Sequence, residues 1–433
     1  MTQARALELL KTGANVFLSG PPGSGKSYVL EQFIKTLARK GRKTAVCAST
    51  GIAASLIGGV TLHSWSGIGV RRQLNRFERE KLLSNPDINR RLNEVETLII
   101  DEISMLSAET VDGLSDLLMQ ARESLKPFGG MQIVVCGDFF QLPPVGNGLP
   151  NYAFSAKAWQ AANFKACYLD EQHRVAADEL SEVLLALREQ RLTARHVRLL
   201  LNRQGIKHYP VTRLLTHNHD ASVINRQQLD LLPGKAKAYF MKGQEAWSKS
   251  LLAPPELLLK VGAEVMFVAN DYRRGFVNGS QGKVVAFKHG LPLIQLKSSG
   301  KYILAEAYCW RRELVNGKII EAIQLPLKLA WALTIHKSQG MSLDAAEIDL
   351  SRSFTYGMGY VALSRLKSFE GLYLLGLNSR SLQLDKNVLS FDQRIQAESK
   401  INEGGRFTSS DRLALEQAKA DPRLINFTEG LKS

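Results

Sequence analysis

Apolar and polar positions come in blocks along this chain, and the period of the blocks changes in a regular order. "NVFLSG" (Asn15–Gly20) is a short apolar run that predicts a buried strand. "KSYVLEQFIKTLARKG" follows, with apolar residues at Val29, Leu30, Phe33, Ile34 and Leu37, the spacing of one helix face. "KTAVCASTGIAASLIGG" (Lys43–Gly59) predicts a strand, a small-residue turn and a helix start. Two further runs, "VETLIIDEISML" (Val95–Leu106) and "MQIVVCGDFFQLPPV" (Met131–Val145), read as central parallel strands, continuous in apolar residues because both faces are covered. "VTRLLTHNHDASVINRQQL" (Val211–Leu229) predicts another strand and helix. In "LKLAWALTIHKSQGMSLD" (Leu327–Asp344), Leu329 and Leu333 predict a helix with a polar run at its end. From about Lys237 to Ile323 the pattern shifts to short β-branched runs parted by Asn-Gly and Gly turns, the mark of antiparallel hairpins. "VLSFDQRIQAESKI" (Val388–Ile401) predicts one amphipathic helix, with a loosely ordered tail after Glu403.

Bulk composition narrows the class. At 433 residues the chain exceeds one ordinary core, so two or three domains are expected. No stretch approaches the roughly 20 apolar residues that span a bilayer, and "MTQARALELLKTG" lacks the apolar core of a signal peptide. The four cysteines (Cys47, Cys136, Cys167, Cys309) make no CxxC pair, and three of them lie in apolar runs, which predicts buried free thiols in a reducing compartment. A net charge of +15 favours a polyanionic partner, nucleic acid before anionic membrane.

Candidate chemistry begins at "GPPGSGKS", Gly20 to Ser27, which fits G-x-x-x-x-G-K-[ST] between a strand and a helix. Gly20, Pro21, Pro22, Gly23, Ser24 and Gly25 form a loop whose N–H groups can turn toward one anion at a helix N-terminus. Lys26 would reach the β- and γ-phosphates of ATP, and Ser27 would bind Mg²⁺. Asp101, at the end of the Leu98-Ile99-Ile100 strand, is the second Mg²⁺ residue, and Glu102 can orient and deprotonate an attacking water. That acid pair favours water over a bound substrate as acceptor, which counts against a nucleotide kinase. Gln141 follows the third strand as a candidate γ-phosphate sensor.

The motifs "GPPGSGKS", "ASTGIAA", "TLHSW", "LIIDEISM", "GDFFQLPPV", "LTIHKSQGMSLD" and "YVALSRLKSFEGL" stand in the order found in superfamily-one DNA helicases. Together with "SMLSAETVDGLSDLLMQARE" (Ser104–Glu123), they most resemble the Pif-one (petite integration frequency) family of the 5′-to-3′ branch. The resemblance covers about residues 1–380. It implies an α/β fold of two RecA-like P-loop domains with parallel sheets. The first would span 1–168, with a short wedge insertion at 66–94. The second would span 169–235 and 325–380, interrupted at 236–324 by a small Src-homology-like β-barrel, and residues 381–433 would form a C-terminal extension. By the same resemblance Gln3 pairs with adenine, and Gly340 belongs to the ATP site. Arg174 and Arg365, the latter on a helix, are arginine fingers, while Thr50, His63, Trp65, His336, Lys337 and Ser338 contact DNA.

Alternatives stay open at several of these positions. Trp65 can stack on a base or pack beneath its loop. Arg71–Glu94 reads as a duplex-splitting wedge or as a solvated mixed-charge helix. Arg273 and Arg274 can line a DNA path or a solvated turn, and His217 and His219, lacking a matching Cys or His cluster, favour a polar turn over zinc. Where the family has Gln-Ala before "YVALSR", Met358 and Gly359 stand here. The expected activity is ATP-dependent, 5′-to-3′ unwinding of duplex and possible G-quadruplex DNA from a single-stranded track. The expected partners are single-stranded and forked DNA, with room for other replication or repair proteins and with no membrane. The enzyme is expected to act as a monomer in a bacterial or phage cytoplasm, nucleus and mitochondrion staying open as alternatives. The rivals are a RecD-like motor subunit of a nuclease complex and a single-strand-binding ATPase that does not unwind.

Overall fold

A computed structural model of the chain describes residues 1–68, 74–144, 150–170, 178–206, 211–243, 251, 253–271, 273–276, 278–297, 299–313, 319–339 and 341–403. It divides into two compact units, Met1–Val175 with Leu384–Ser433, and Ala176–Gln383.

The first unit is built on six parallel strands, β1 (Val16–Ser19), β2 (Thr44–Ala48), β3 (Val60–Thr61), β4 (Thr97–Asp101), β5 (Gln132–Cys136) and β6 (Lys165–Tyr168), in the order β3-β2-β4-β5-β1-β6. Every residue of β1 and β5 is buried, as a sheet covered on both faces requires. Helix α1 (Gln3–Lys11) precedes β1, and α2 (Lys26–Arg39) follows it. Val29, Leu30, Phe33 and Leu37 of α2 are buried with Leu10, Val16, Ile99 and Val134, and Ile34 lies at the margin of the same core. Short helices α3 (Gly51–Leu56) and α4 (Leu62–Ser66) follow β2 and β3.

Two further helices form between α4 and β4, α5 (Arg76–Leu83) and α6 (Pro86–Glu94), while residues 69–73 of the expected insertion lie outside the described residues. Asn75 and Glu78 close a capping box on α5, and Pro86 opens α6 behind an Asn85 cap, so both ends are written locally. α5 buries no residue, whereas α6 buries Ile88 and Leu92. Helix α7 (Ala108–Ala121) ties them down. Just beyond its end, Arg122 donates to the carbonyls of Leu92, Asn93, Val95 and Gly129 at 2.9–3.1 Å, and Arg79 reaches Asp116 and Gln120. The 104–123 segment thus carries the residues that anchor the insertion. Helix α8 (Lys157–Ala161) leads into β6.

The helix expected near residue 388 forms as Lys386–Asn402 and belongs to the first unit. Tyr168 N–H donates to Ser399 Oγ at 2.9 Å, and Asn402 Nδ2 donates to the Ala166 carbonyl at 2.8 Å, so this helix covers the open edge of β6. Phe391 stacks on Phe154 with centroids 4.1 Å apart, within an aromatic cluster that includes Phe17, Phe139 and Trp159.

The second unit opens with α9 (Glu179–Arg188) and α10 (Ala194–Leu201), then β7 (Thr212–Leu215) and α11 (Asn218–Leu231). The hairpin region forms β8 (Lys237–Phe240), β9 (Lys242–Gly243), β10 (Glu256–Leu259), β11 (Glu264–Phe267), β12 (Gln281–Lys288), β13 (Leu291–Leu296), β14 (Tyr302–Leu304), β15 (Tyr308–Glu313) and β16 (Ile319–Gln324). All pairs among them are antiparallel, in sheets ordered β10-β8, β15-β16-β9 and β14-β13-β12-β11-β17, the last strand being Leu327–Leu329. One core of Val265, Phe267, Val284, Ile294, Leu257 and Leu327 lies beneath them.

The helix expected through Leu329 and Leu333 does not form. Two three-residue strands take its place, β17 and β18 (Ala332–Thr334). Ala330 N–H donates to the Glu264 carbonyl and the Trp331 carbonyl accepts from Arg213 N–H, so the chain leaves the antiparallel sheet and enters the parallel one within a few residues. Pairing partners on both sides override a helical spacing that a short apolar run also satisfies. The parallel sheet is completed by β19 (Ala346–Leu350) and β20 (Leu372–Leu377), in the order β18-β7-β19-β20, with α12 (Met358–Leu363) between those two strands in sequence.

Candidate nucleotide site and nucleic-acid contacts

All six strands of the first unit run the same way, so the loops after β1, β2, β3, β4 and β5 leave the sheet at one edge. Ligands of open parallel sheets bind at that edge. It gathers Gly20–Ser27, Thr50, His63, Asp101, Glu102 and Gln141.

The phosphate loop is shaped by glycines with no room for side chains. Gly25 takes φ +87 as N-cap of α2, and Gly20 takes φ +144 with the Leu169 carbonyl 2.5 Å from where a β-carbon would stand. Pro21, Pro22 and Gly23 complete the bend, and Ser24 is fully buried with no hydrogen-bond partner for its hydroxyl. Lys26 Nζ donates to the carbonyls of Gly20 and Pro21 at 2.8 and 3.0 Å, which holds the ammonium against the loop. Ser27, in the first turn of α2, is exposed. Gln3 lies against this loop, its Nε2 donating to the Ser24 carbonyl at 3.2 Å.

At the end of β4, burial pushes the Asp101 carboxyl above its ordinary range, against the opposing pulls of the Glu102 N–H, the Cys136 thiol and the Lys26 ammonium. The Glu102 N–H donates to Asp101 Oδ1 at 2.9 Å, and Glu102 itself holds φ +52, a left-handed backbone that costs a non-glycine residue about 1–2 kcal/mol. Gln141 is buried, in a turn set by Asp138, whose carbonyl accepts from Gln141 N–H and whose carboxylate accepts from Phe140 N–H. Cys136, expected only as a buried thiol, lies beside Asp101, and Asp138 is a residue of this edge that the sequence motifs do not single out. A thiol beside an acid leaves no spacing signature, but the aspartate at a strand end was legible.

Thr50 caps α3, accepting from Ala53 N–H, and His63 is half-buried. Trp65 is buried in α4, which is the packing alternative rather than an open stacking face. In the second unit, His336, Lys337 and Ser338 form a short 3₁₀ turn directly after β18. Lys337 is exposed, while Ser338 is fully buried and donates its hydroxyl to the Ile335 carbonyl, so it shapes the turn instead of facing solvent. Burial lowers the imidazoles of both His63 and His336, so each stays neutral above the ordinary histidine range and can offer hydrogen bonds but no charge. Arg365 stands two residues past α12 and not on a helix as expected; it is buried and donates to the Val361 and Met341 carbonyls and to Ser364 Oγ. Arg274 pairs with Asp271 and Glu306. Arg174 and Gly340 lie outside the described residues. Three of the four thiols are buried as expected; Cys167, for example, is pushed up to about 12 by burial.

The model of the PIF1-like helicase family matches residues 3–191, and that of the DNA helicase Pif1 2B domain matches residues 245–287. An ATP-dependent DNA helicase Pif1 from Psychrobacter is 41% identical, the alignment covering 92% of this chain and 71% of that one. The chain spans 62–65% of the length of the vertebrate relatives it matches. The crystal structure of the Candida albicans Pif1 helicase superposes with a TM-score of 0.76 at 31% identity, over 90% of this chain and 98% of that one. A Bacteroides Pif1 helicase in complex with ADP-AlF3 and single-stranded DNA gives a TM-score of 0.65 at 30% identity, over 92% and 97%. The chain belongs to the PIF1-like helicase family.

Proposed function

We infer that this chain is an ATP-dependent DNA helicase that moves 5′ to 3′ along single-stranded DNA and opens the duplex ahead of it. The observation that carries this reading is the single sheet edge that brings the phosphate loop, the Asp101–Glu102 pair and the Thr50–His63 elements to one side of the first unit. A nucleotide-sensing group and a strand-gripping group on one edge are the minimum a motor needs.

Within the reading, Gln3 meets the adenine edge, and the loop N–H groups with Lys26 neutralise the phosphates. The exposed Ser27 hydroxyl and the Asp101 carboxylate fit a Mg²⁺ ion, one being a hard oxygen donor beside the loop and the other a carboxylate whose nearby cation is Lys26. Bound there, the ion would offset charge on the β- and γ-phosphate oxygens. Glu102 orients water for attack. Thr50, His63 and His336 give uncharged hydrogen bonds to the strand, and Lys337 gives charge. Single-stranded and forked DNA are the substrates this reading expects, with the protein acting as a monomer.

DNA-stimulated ATP hydrolysis tests it. Oligo-dT should raise turnover of the wild type by at least about tenfold, and Lys26→Ala and Glu102→Gln should each lower stimulated turnover by about 10²-fold or more. Turnover indifferent to DNA, or a Glu102→Gln protein that hydrolyses normally, would contradict the reading.

A further inference from the structure

Lys328 is nine-tenths buried, and its Nζ has no hydrogen-bond partner. It stands on β17, paired with Met266 of β11, which is paired in turn with Gln281 of β12. Residues paired across a sheet share a face, so the three side chains form one row. Their neighbours Leu327, Val265, Phe267 and Val284 lie in the core, which places the row on the opposite face. Gln281 Nε2, a second buried donor in that row, is also without a partner.

The Gln281 end of the row lies close to the segment that follows the His336–Ser338 turn. A β-carbon on Gly279, two residues before Gln281, would lie 3.8 Å from Met341 Cβ and the Ser342 carbonyl, so the segment that follows the turn packs there. Burial, and after it the like charge of Lys337, act against the Lys328 ammonium. An unpaired buried ammonium costs several kcal/mol, and a second cation beside it raises that cost. The carboxylate on the same face, Glu264, is already paired with Lys297 at 2.7 Å, so two unpartnered donors and one cation at the surface make a site for an anion brought from outside. Lys337 itself is exposed.

We propose that Lys328, flanked by Gln281 and Lys337, binds a backbone phosphate of single-stranded DNA near the His336–Ser338 turn. This rests on the reading of that turn as a DNA contact. The full-length chain is titrated into fluorescent oligo-dT over a KCl series, as wild type, Lys328→Met and Gln281→Leu, with melting temperatures recorded beside it. Lys328→Met should bind about tenfold more weakly, and its log–log salt slope should fall by about 0.7, the loss of one single-strand phosphate contact. Its melting temperature should hold or rise, because an unpartnered charge has gone. Gln281→Leu should weaken binding by about threefold with the slope unchanged, which keeps the test decisive if the lysine variant folds poorly. Both variants binding with wild-type affinity and slope would overturn the proposal. So would displacement of oligo-dT by millimolar inorganic phosphate at constant ionic strength, lost in Lys328→Met, since the site would then hold a free anion. Wild type that binds no oligo-dT at all would instead overturn the underlying DNA reading, an outcome visible before any variant is made.

Discussion

A β-carbon at position 25 would stand 2.0 Å from Gln3 Nε2, so the Gln3 amide packs directly on a glycine of the phosphate loop. Gly25 also holds φ +87, which disfavours any other residue. Gly25→Ala should therefore push Gln3 away and strain the loop together, lowering affinity for a fluorescent ATP analogue by at least about tenfold. Unchanged affinity would show that the amide and the loop are not coupled.

Arg122 gives its guanidinium to four backbone carbonyls, three of them at the end of the inserted helix pair. A lysine is a point charge and cannot span that fan. Arg122→Lys should destabilise the first unit by about 2 kcal/mol in urea unfolding. Arg76→Lys, at an exposed helix pair with Glu80, should change it by less than about 0.5 kcal/mol.

The helix Lys386–Asn402 is part of the first unit's core, although no helicase motif lies in it. Phe391→Ala removes a ring that touches four other aromatic residues, and should cost about 3–5 kcal/mol. Calorimetry should show the loss in the same transition that ATP stabilises. A loss confined to a separate transition would detach this helix from the nucleotide-binding unit.

Burial and Lys337 lower the Lys328 ammonium to about 7. A lysine whose folded value lies below its unfolded one destabilises the fold in its charged form. The penalty is full below about pH 7, shrinks between there and about 10.5, and is absent above. Lys328→Met should thus raise the melting temperature most at pH 6 and progressively less toward pH 10. A gain independent of pH would place the lysine in contact with water.

Much of the nucleotide edge was legible in the sequence because its parts are local. Gly20–Ser27 sits between a strand and a helix whose periods differ, and Asp101 ends an unbroken apolar run. Three features were not legible, each for its own physical reason. Leu329 and Leu333 satisfy a helical spacing, yet distant β11 and β7 claim them as strands. Trp65 and Ser338 belong to DNA-contact segments by resemblance, but burial turns both inward. Phe391 reads as one amphipathic position among several, and only its distant partners Phe154 and Phe139 show that it completes a core.

Duplex unwinding with defined overhangs tests the central claim most directly. Wild type with ATP should separate a duplex carrying a 5′ single-stranded overhang and leave its 3′-overhang counterpart paired, and both Lys26→Ala and Glu102→Gln should abolish the strand separation. Equal unwinding from a 3′ overhang, or unwinding that survives either substitution, would contradict an ATP-driven 5′-to-3′ motor.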